Sequence, residues 1–351
     1  MMREEKILSA LPEPLLAWYD GHKRTLPWRG TRDPYRVWVS EIMLQQTRVA
    51  AVIPYYERWM AALPTVAHLA AVEEEQLMKL WQGLGYYSRA RNLQKAAKYI
   101  MEQRGGAFPD TRDELLKLPG VGEYTAGAVA SIAFGHPVPA VDGNVLRVAA
   151  RVARVGEDIL DPKVKKKFQT WLAAVIPAAR PGAFNQALMD LGATVCLPNG
   201  QPLCESCPLR SICEANRLGL QLQLPLRGKK AKRRVEELTV YLLVRDGRVA
   251  LVKRPDSGLL AGLWEFPHVP GALGENLAGQ PLETWGLTAA DWQKKLSAKH
   301  IFTHVEWHMT GYVVRVSGEQ PAFTWADRTQ LENMAVPSAF AKFLEDAFAL
   351  L

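Results

Sequence analysis

The chain has 351 residues, 48% of them apolar and 23% charged, with a formal net charge of +7. That composition excludes a disordered chain and leaves room for two or three domains with sizeable cores. No apolar run reaches the roughly 20 residues a membrane helix needs, and the N-terminal MMREEKILSALPEPLLAWYD mixes both charge signs. Neither a membrane span nor a signal peptide is therefore expected, which points to a cytoplasmic protein with no membrane partner. The basic balance leans toward a polyanionic partner.

Residues 1 to about 220 carry mainly helical periodicity, clearest over Pro34–Met60 and Thr111–Phe134. In the first block, Val37-Trp-Val-Ser-Glu41-Ile-Met-Leu-Gln-Gln-Thr47 surrounds one acid with apolar residues. A glutamate so placed is poorly hydrated, and its pKa should rise. The alternative is a Glu41 that faces solvent or pairs with Arg48.

Thr111-Arg-Asp-Glu114 has the form of a capping box, so a helix should start there and run to about Leu118. Pro119 and Gly120 stop it, and a helix of small residues restarts at Glu123. The Gly120-Val121-Gly122 amides and the positive end of the second helix then converge on one spot that suits a phosphate. Contact with phosphate alone reads no base sequence. A plain tight turn between packed helices is the other reading of this stretch.

Val138-Pro-Ala-Val-Asp142-Gly-Asn144-Val-Leu-Arg147 places an aspartate before an amphipathic helix. Asp142 is a natural N-cap, and a capping carboxylate that accepts amide hydrogen bonds should stay ionised. One acid kept protonatable and one kept charged is the pair that glycosidic bond cleavage requires.

All four cysteines, Cys196, Cys204, Cys207 and Cys213, fall in one C-x7-C-x2-C-x5-C run. Clustering of this kind favours a metal site over a disulfide framework. Structural zinc more often uses two C-x2-C pairs a dozen or more residues apart, so the short unequal loops favour one [4Fe–4S] cluster. Arg210 and Arg217 lie near these cysteines in sequence and could meet phosphates.

Leu226 to Arg234 holds six basic residues and no acidic one, and the basic linker is expected over 223–235. Beyond it, Glu237–Val244 and Arg248–Lys253 are β-rich runs joined by Asp246-Gly247, a hairpin signal. His300–Val316 alternates again. His300, His304 and His308 are spaced by four; spread along roughly 26 Å of a single strand they could not share an ion, so a polar strand face is expected instead. No internal repeat or low-complexity tract is present.

Taken in order, LPW at 26–28, SEIMLQQT at 40–47, GLGYYSRARN at 83–92, LPGVGEYTAGA, VDGNV, the cysteines and GLWEFP resemble the adenine DNA glycosylases of the MutY type over nearly the whole chain. The resemblance implies a mainly α helix-hairpin-helix glycosylase domain with a [4Fe–4S] loop over 1–222, followed by a smaller α/β Nudix-like domain over 236–351. It implies double-stranded DNA as partner and removal of adenine mispaired with 8-oxoguanine or guanine, by flipping the base out of the duplex. A monomer suffices.

By the same resemblance, Glu41 protonates adenine and activates water, and Asp142, with Asn144 beside it, stabilises the sugar intermediate. Tyr124 lies against the pocket, while Trp28, Arg29 and Gln186 are candidates for holding adenine. Gln46 and Tyr86 fill the gap around the orphan base, with Thr47, Leu84, Leu118, Gly120, Val121 and Gly122 near DNA. Phe302-Thr303-His304 stands where the family has the Phe-Ser-His turn that reads 8-oxoguanine. Cys196, Cys204, Cys207 and Cys213 ligate the cluster.

In the similar endonuclease III family a lysine stands at the Tyr124 position and cuts the strand; tyrosine implies a monofunctional enzyme. Two alternatives are a bifunctional pyrimidine glycosylase and lyase, or a non-catalytic DNA-binding relative. No complete G-x5-E-x7-R-E-x2-E-E-x-G box lies between 255 and 300, so nucleotide hydrolysis by the second domain is not expected. The chain departs from the family at Thr303, which adds a methyl. It departs also in the first cysteine spacing, where one extra residue among Leu197–Leu203 must bulge outward.

Overall fold

The computed structural model describes residues 3–228 and 232–351. The chain divides into two compact units, residues 1–71 with 92–229 and residues 72–91 with 230–351. The expected single division after residue 222 did not anticipate that 72–91 belongs with the later residues. Lys229, Lys230 and Ala231 of the expected linker lie outside the described residues.

The first unit is helical. Asp33 accepts a hydrogen bond from the Tyr35 amide and Pro34 occupies the first turn, so the helix Pro34–Leu44 starts sharply. The expected block to Met60 breaks after Leu44, and a second helix, Val49–Ala62, begins after Gln46 takes a positive φ of 58°. At the core lies the helix Gly143–Ala153, buried from Val145 to Ala153 and packed against Pro181–Thr194 and Arg3–Leu8. Leu8, Leu11, Leu15, Phe168, Trp171, Phe184 and Leu188 close over it. Thr111 does cap a helix, but only Arg112–Leu115, and the Glu114 carboxylate pairs with Arg104. The expected longer helix to Leu118 is replaced by a tight turn into Gly120.

Gly127 explains how two pieces of the candidate site are brought together. It lies on the helix Glu123–Ile132, and a Cβ there would sit 2.3 Å from the Pro139 carbonyl oxygen, just ahead of Asp142. Gly127→Ala is therefore expected to destabilise the protein by roughly 1–3 kcal/mol through overpacking. Thermal denaturation checks this, and an unchanged Tm would contradict it.

In the second unit a seven-stranded sheet has the order β3-β2-β1-β6-β5. The strands are β1 (Arg234–Arg245), β2 (Arg248–Lys253), β3 (Trp264–Glu265), β4 (His268–Pro270), β5 (Leu287–Ile301), β6 (Val305–Gly318) and β7 (Thr324–Ala326). β4 pairs with β1 and β7 with β2. Asp246 and Gly247, both at positive φ (50° and 67°), make the expected two-residue hairpin. β1 is buried on both faces: Leu238, Val240 and Leu242 enter one core with Phe266, Trp307 and Phe343, while Tyr241 and Leu243 enter another with Tyr312 and Val314. The segment 72–91 is tied to this unit by Gln82 Nε2 on the Val336 carbonyl at 2.6 Å and by Arg91 Nη2 on the Ala261 carbonyl at 2.5 Å.

The single alternating strand expected over His300–Val316 is instead a hairpin, because Phe302-Thr303-His304 turns between β5 and β6. Lys299 pairs with His308 and His300 with Trp307 across it. The separation along one strand was therefore the wrong ground for dismissing a histidine metal site. What the histidines do contact is different: His308 Nε2 lies 2.7 Å from Glu306, and the His300 ring packs at 4.5 Å on Phe302. His304 is an exposed turn residue rather than part of a strand face.

Candidate active site

Glu41 sits two turns into Pro34–Leu44 and is 6% exposed. It neither faces solvent nor pairs with Arg48: Tyr124, in the first turn of the helix after the glycine hairpin, donates its Oη hydrogen to the Glu41 carboxylate. Burial pushes the Glu41 pKa up from its ordinary 4.5, opposed by the Tyr124 hydrogen bond and the nearby Arg29 charge and aided by Asp142. Burial also holds the Tyr124 phenol well above its usual range, so it remains a donor.

Asp142 caps Gly143–Ala153, accepting from the Val145 amide at 2.8 Å and from Asn144 Nδ2 at 2.8 Å. The expectation that capping keeps Asp142 ionised left out its burial. Burial raises its pKa from the ordinary 3.8, outweighing the lowering by the Val145 and Asn144 donors and by Arg147. The order of the pair still favours Asp142 as the anion, since several N–H donors face it and one hydroxyl faces Glu41. Asn144 is itself fixed, its Oδ1 accepting from Arg147 Nη2 at 2.9 Å. Gly192 lets the neighbouring helix come close: a Cβ there would lie 2.6 Å from Asn144 Cβ.

A second group surrounds Arg29 and Gln186. Gln186 Oε1 accepts from Tyr19 Oη at 2.6 Å and from Arg29 Nη1, and Arg29 Nη1 also reaches Tyr19 Oη at 2.6 Å. These side chains line a cavity of about 780 Å³ that opens beside the hairpin helix. Trp28 is only 4% exposed, its ring edge-on to Tyr56 at 5.3 Å, so it supports the core more than it lines an open site.

The hairpin is assembled as expected, with different reasons for its two glycines. Gly120 takes φ +76°, and a Cβ would meet Asn92 Cβ at 2.6 Å, so its first duty is internal packing. Gly122 has open space around it and precedes the helix Glu123–Ile132. Leu118 and Val121 are buried side chains, which leaves backbone as their means of meeting DNA. Glu123 at the helix start pairs with Arg112 at 2.5 Å, and Arg112 also reaches Asp113. Gln46 is held at φ 58° with Thr47 after it, a conformation that non-glycine residues seldom adopt.

In the second unit, Tyr86 is 45% exposed and also at a positive φ, 47°. Its turn is pinned by Trp81 Nε1 on the Gly85 carbonyl at 3.0 Å and by Arg89 Nη2 on the Leu84 carbonyl at 2.9 Å. Leu84 is 6% exposed, so its side chain anchors the turn instead of projecting from it. Tyr86 Oη lies 2.5 Å from Thr303 Oγ1, which joins the wedge candidate to the lesion-reading candidate. Phe302 packs edge-on to Trp307 at 4.9 Å and holds the turn. Tyr86, Phe302, Thr303 and His304 line one cavity of about 350 Å³.

The four cysteines line a common cavity with Val148, Arg151, Leu191 and Leu209. Among the described residues, no three His, Cys, Asp or Glu side chains meet at the spacing of a single-ion site. Burial pushes the Cys207 thiol up to about 12 and raises Cys204 and Cys213 as well. Between the first two cysteines, Pro198, Asn199 and Gly200 form an exposed bend, and Gly200 has φ +71°. Arg210 and Arg217 pair with Glu205 and Glu214. The arginines that touch the first cysteine are instead the buried Arg147, on the Cys196 carbonyl at 2.8 Å, and Arg151, 3.2 Å from Cys196 Sγ. Sequence reasoning missed both, along with Tyr19, Arg24 and Asp190. Only the spacing of Arg147 and Arg151 on one turn of the Asp142 helix signalled them.

The helices of the first unit bring together a buried acid, a capped aspartate and a glycine hairpin. Residues 39–174 match the HhH-GPD superfamily base excision DNA repair protein model, and residues 239–346 match a NUDIX domain. An adenine DNA glycosylase of Homo sapiens is 38% identical over 97% of this chain and 74% of its own. One of Buchnera aphidicola subsp. Baizongia pistaciae is 34% identical over 86% and 84%. Among solved structures, a non-covalent endonuclease III–DNA complex is 28% identical with a TM-score of 0.53, covering 63% of this chain and all of that one. The chain belongs to the adenine DNA glycosylase family.

Proposed function

We propose that this adenine DNA glycosylase is monofunctional and acts on adenine paired with 8-oxoguanine or guanine in duplex DNA. The carrying observation is the Tyr124–Glu41 hydrogen bond opposite the multiply bonded Asp142. Glu41 delivers a proton to a ring nitrogen of the flipped adenine, which makes the base a competent leaving group. Asp142, held anionic by its N–H donors, stabilises the oxocarbenium-like sugar as the bond breaks. Glu41 then accepts a proton from the attacking water. Arg29 and Gln186 hold the base.

Likeness to endonuclease III would also suit a glycosylase and lyase. Tyr124 argues against that, because a phenol kept protonated by burial is no amine nucleophile. Tyr86 and the Phe302–His304 turn suit insertion beside the orphan base, with the Thr303 hydroxyl as its hydrogen-bonding group. Open space around Gly122, at the start of the helix Glu123–Ile132, suits the phosphate backbone.

The cysteine cavity suits a cluster of several atoms better than one ion, and Cys196, Cys204, Cys207 and Cys213 would hold a [4Fe–4S] group there. Bound, that group ties the 196–213 loop together, and no step of base removal passes through it. The protein is proposed to work as a monomer on chromosomal DNA in the cytoplasm; among the described residues no helix is long and apolar enough to cross a membrane.

Single-turnover kinetics on duplexes with one A:8-oxoguanine, A:G or A:T pair tests the proposal, with and without alkali. Release from the two mispairs, with strand breakage only after alkali, is the expected result. Breakage without alkali, or equal release from A:T, would overturn it.

A further inference from the structure

Asp190 has no exposed surface, yet it carries a charge that the proposed chemistry does not use. It lies on the helix Pro181–Thr194, one turn after Gln186. One of its oxygens, Oδ1, accepts from three nitrogens: Arg24 Nε at 2.9 Å, Arg24 Nη2 at 2.6 Å and Arg29 Nη2 at 2.9 Å. Oδ2 takes the Arg24 amide at 3.3 Å. A buried carboxylate with two guanidiniums is a costly arrangement unless its geometry is closely met, so it fixes the cations it holds.

Of the two, Arg29 is the consequential one. Its Nη2 is bound to Asp190, so its Nη1 points at both Tyr19 Oη and Gln186 Oε1. Tyr19 adds its own hydrogen to Gln186 Oε1, and burial keeps that phenol protonated. Both lone pairs of the Gln186 carbonyl are thereby occupied. What the side chain has left to offer is its NH2 group, a donor for the acceptor edge of a purine.

We infer that Asp190 is a positioning residue for the base-holding wall: it clamps Arg29, and Arg29 with Tyr19 fixes the Gln186 amide so that its N–H donors face the base. The inference rests on the proposed adenine-releasing role of this site. Asp190 touches neither base nor sugar, and its effect passes entirely through Arg29. A misdirected clamp lets the Gln186 amide turn over and present its carbonyl, which repels a ring nitrogen.

A double-mutant cycle on the full-length holoenzyme separates this from a merely structural role. Single-turnover adenine release from an A:8-oxoguanine duplex is measured for wild type, Asp190→Asn, Arg29→Leu and the double variant, alongside Tm and iron content. Asp190→Asn is expected to lose roughly 10- to 100-fold in rate, and to lose no more than about twofold further once Arg29 is leucine. Equal losses in both backgrounds, or no loss in wild type, would overturn the inference.

Tyr19→Phe leaves the buried ion pairs whole and guards against a variant that fails to fold. It is expected to slow release several-fold with Arg29 present and not at all without it; an unchanged rate with Arg29 present counts against the wall. A wild-type protein that releases no adenine would instead remove the underlying role of the site, an outcome distinct from an additive cycle in an active enzyme.

Discussion

Glu41→Gln is expected to lower single-turnover adenine release by roughly a hundred- to ten-thousand-fold, the span that general acid catalysis supplies. Duplex affinity should be unchanged. Glutamine keeps the carbonyl that accepts the Tyr124 hydrogen, so the local structure stands, and only the transferable proton is gone. The same change should raise Tm at neutral pH. A group whose pKa is raised by folding has its full stability below its unfolded value and loses stability as pH rises toward its folded value. For Glu41 the window begins near the ordinary 4.5. The gain from Gln should therefore vanish below that pH and grow above it. Release by Glu41→Gln at the wild-type rate would mean that another group delivers the proton.

Cys207→Ala should have the largest structural effect. Its thiol is the most strongly raised of those facing the shared cavity, a place where a thiolate is unfavourable without a cation. Losing one of four ligands is expected to lose the iron and its visible absorption. A cross-link over a loop of this size is worth about 3 kcal/mol, so Tm should fall, and with it duplex affinity. The damage should also reach the catalytic side, because Arg147 bonds the Cys196 carbonyl and Asn144 together, and Asn144 bonds Asp142. Full iron content and an unchanged Tm in Cys207→Ala would contradict the assignment of the loop.

Much of this site was legible in the residues before any coordinates. Glu41 among apolar neighbours, Asp142 before a helix, and glycines around Val121 each follow from local rules of burial, capping and backbone freedom. The hairpin at Asp246-Gly247 did too. What failed were inferences that needed the third dimension. Capping accounted for the amide donors of Asp142 but not for the burial by packed helices that competes with them. Gly120 seemed to be open for phosphate, whereas Asn92 fills that side. His300–Val316 has the alternation of one strand, and the turn inside it carries no glycine or proline to mark it. Asp190 and Arg24 are separated by 166 residues and belong to no local pattern, so no spacing could have joined them.

The central claim is that one buried carboxylic acid donates while a second carboxylate stays charged. The pH dependence of single-turnover adenine release, in wild type and Tyr124→Phe, tests it most directly. Wild type should give a bell. Its alkaline limb comes from Glu41 losing the proton it must donate, and its acid limb from Asp142 gaining one it must lack. Tyr124 favours the ionised Glu41 by its hydrogen bond. Its removal should raise the Glu41 pKa and carry the alkaline limb to higher pH, with the acid limb unmoved. A flat profile, or an alkaline limb displaced to lower pH by Tyr124→Phe, would contradict the account.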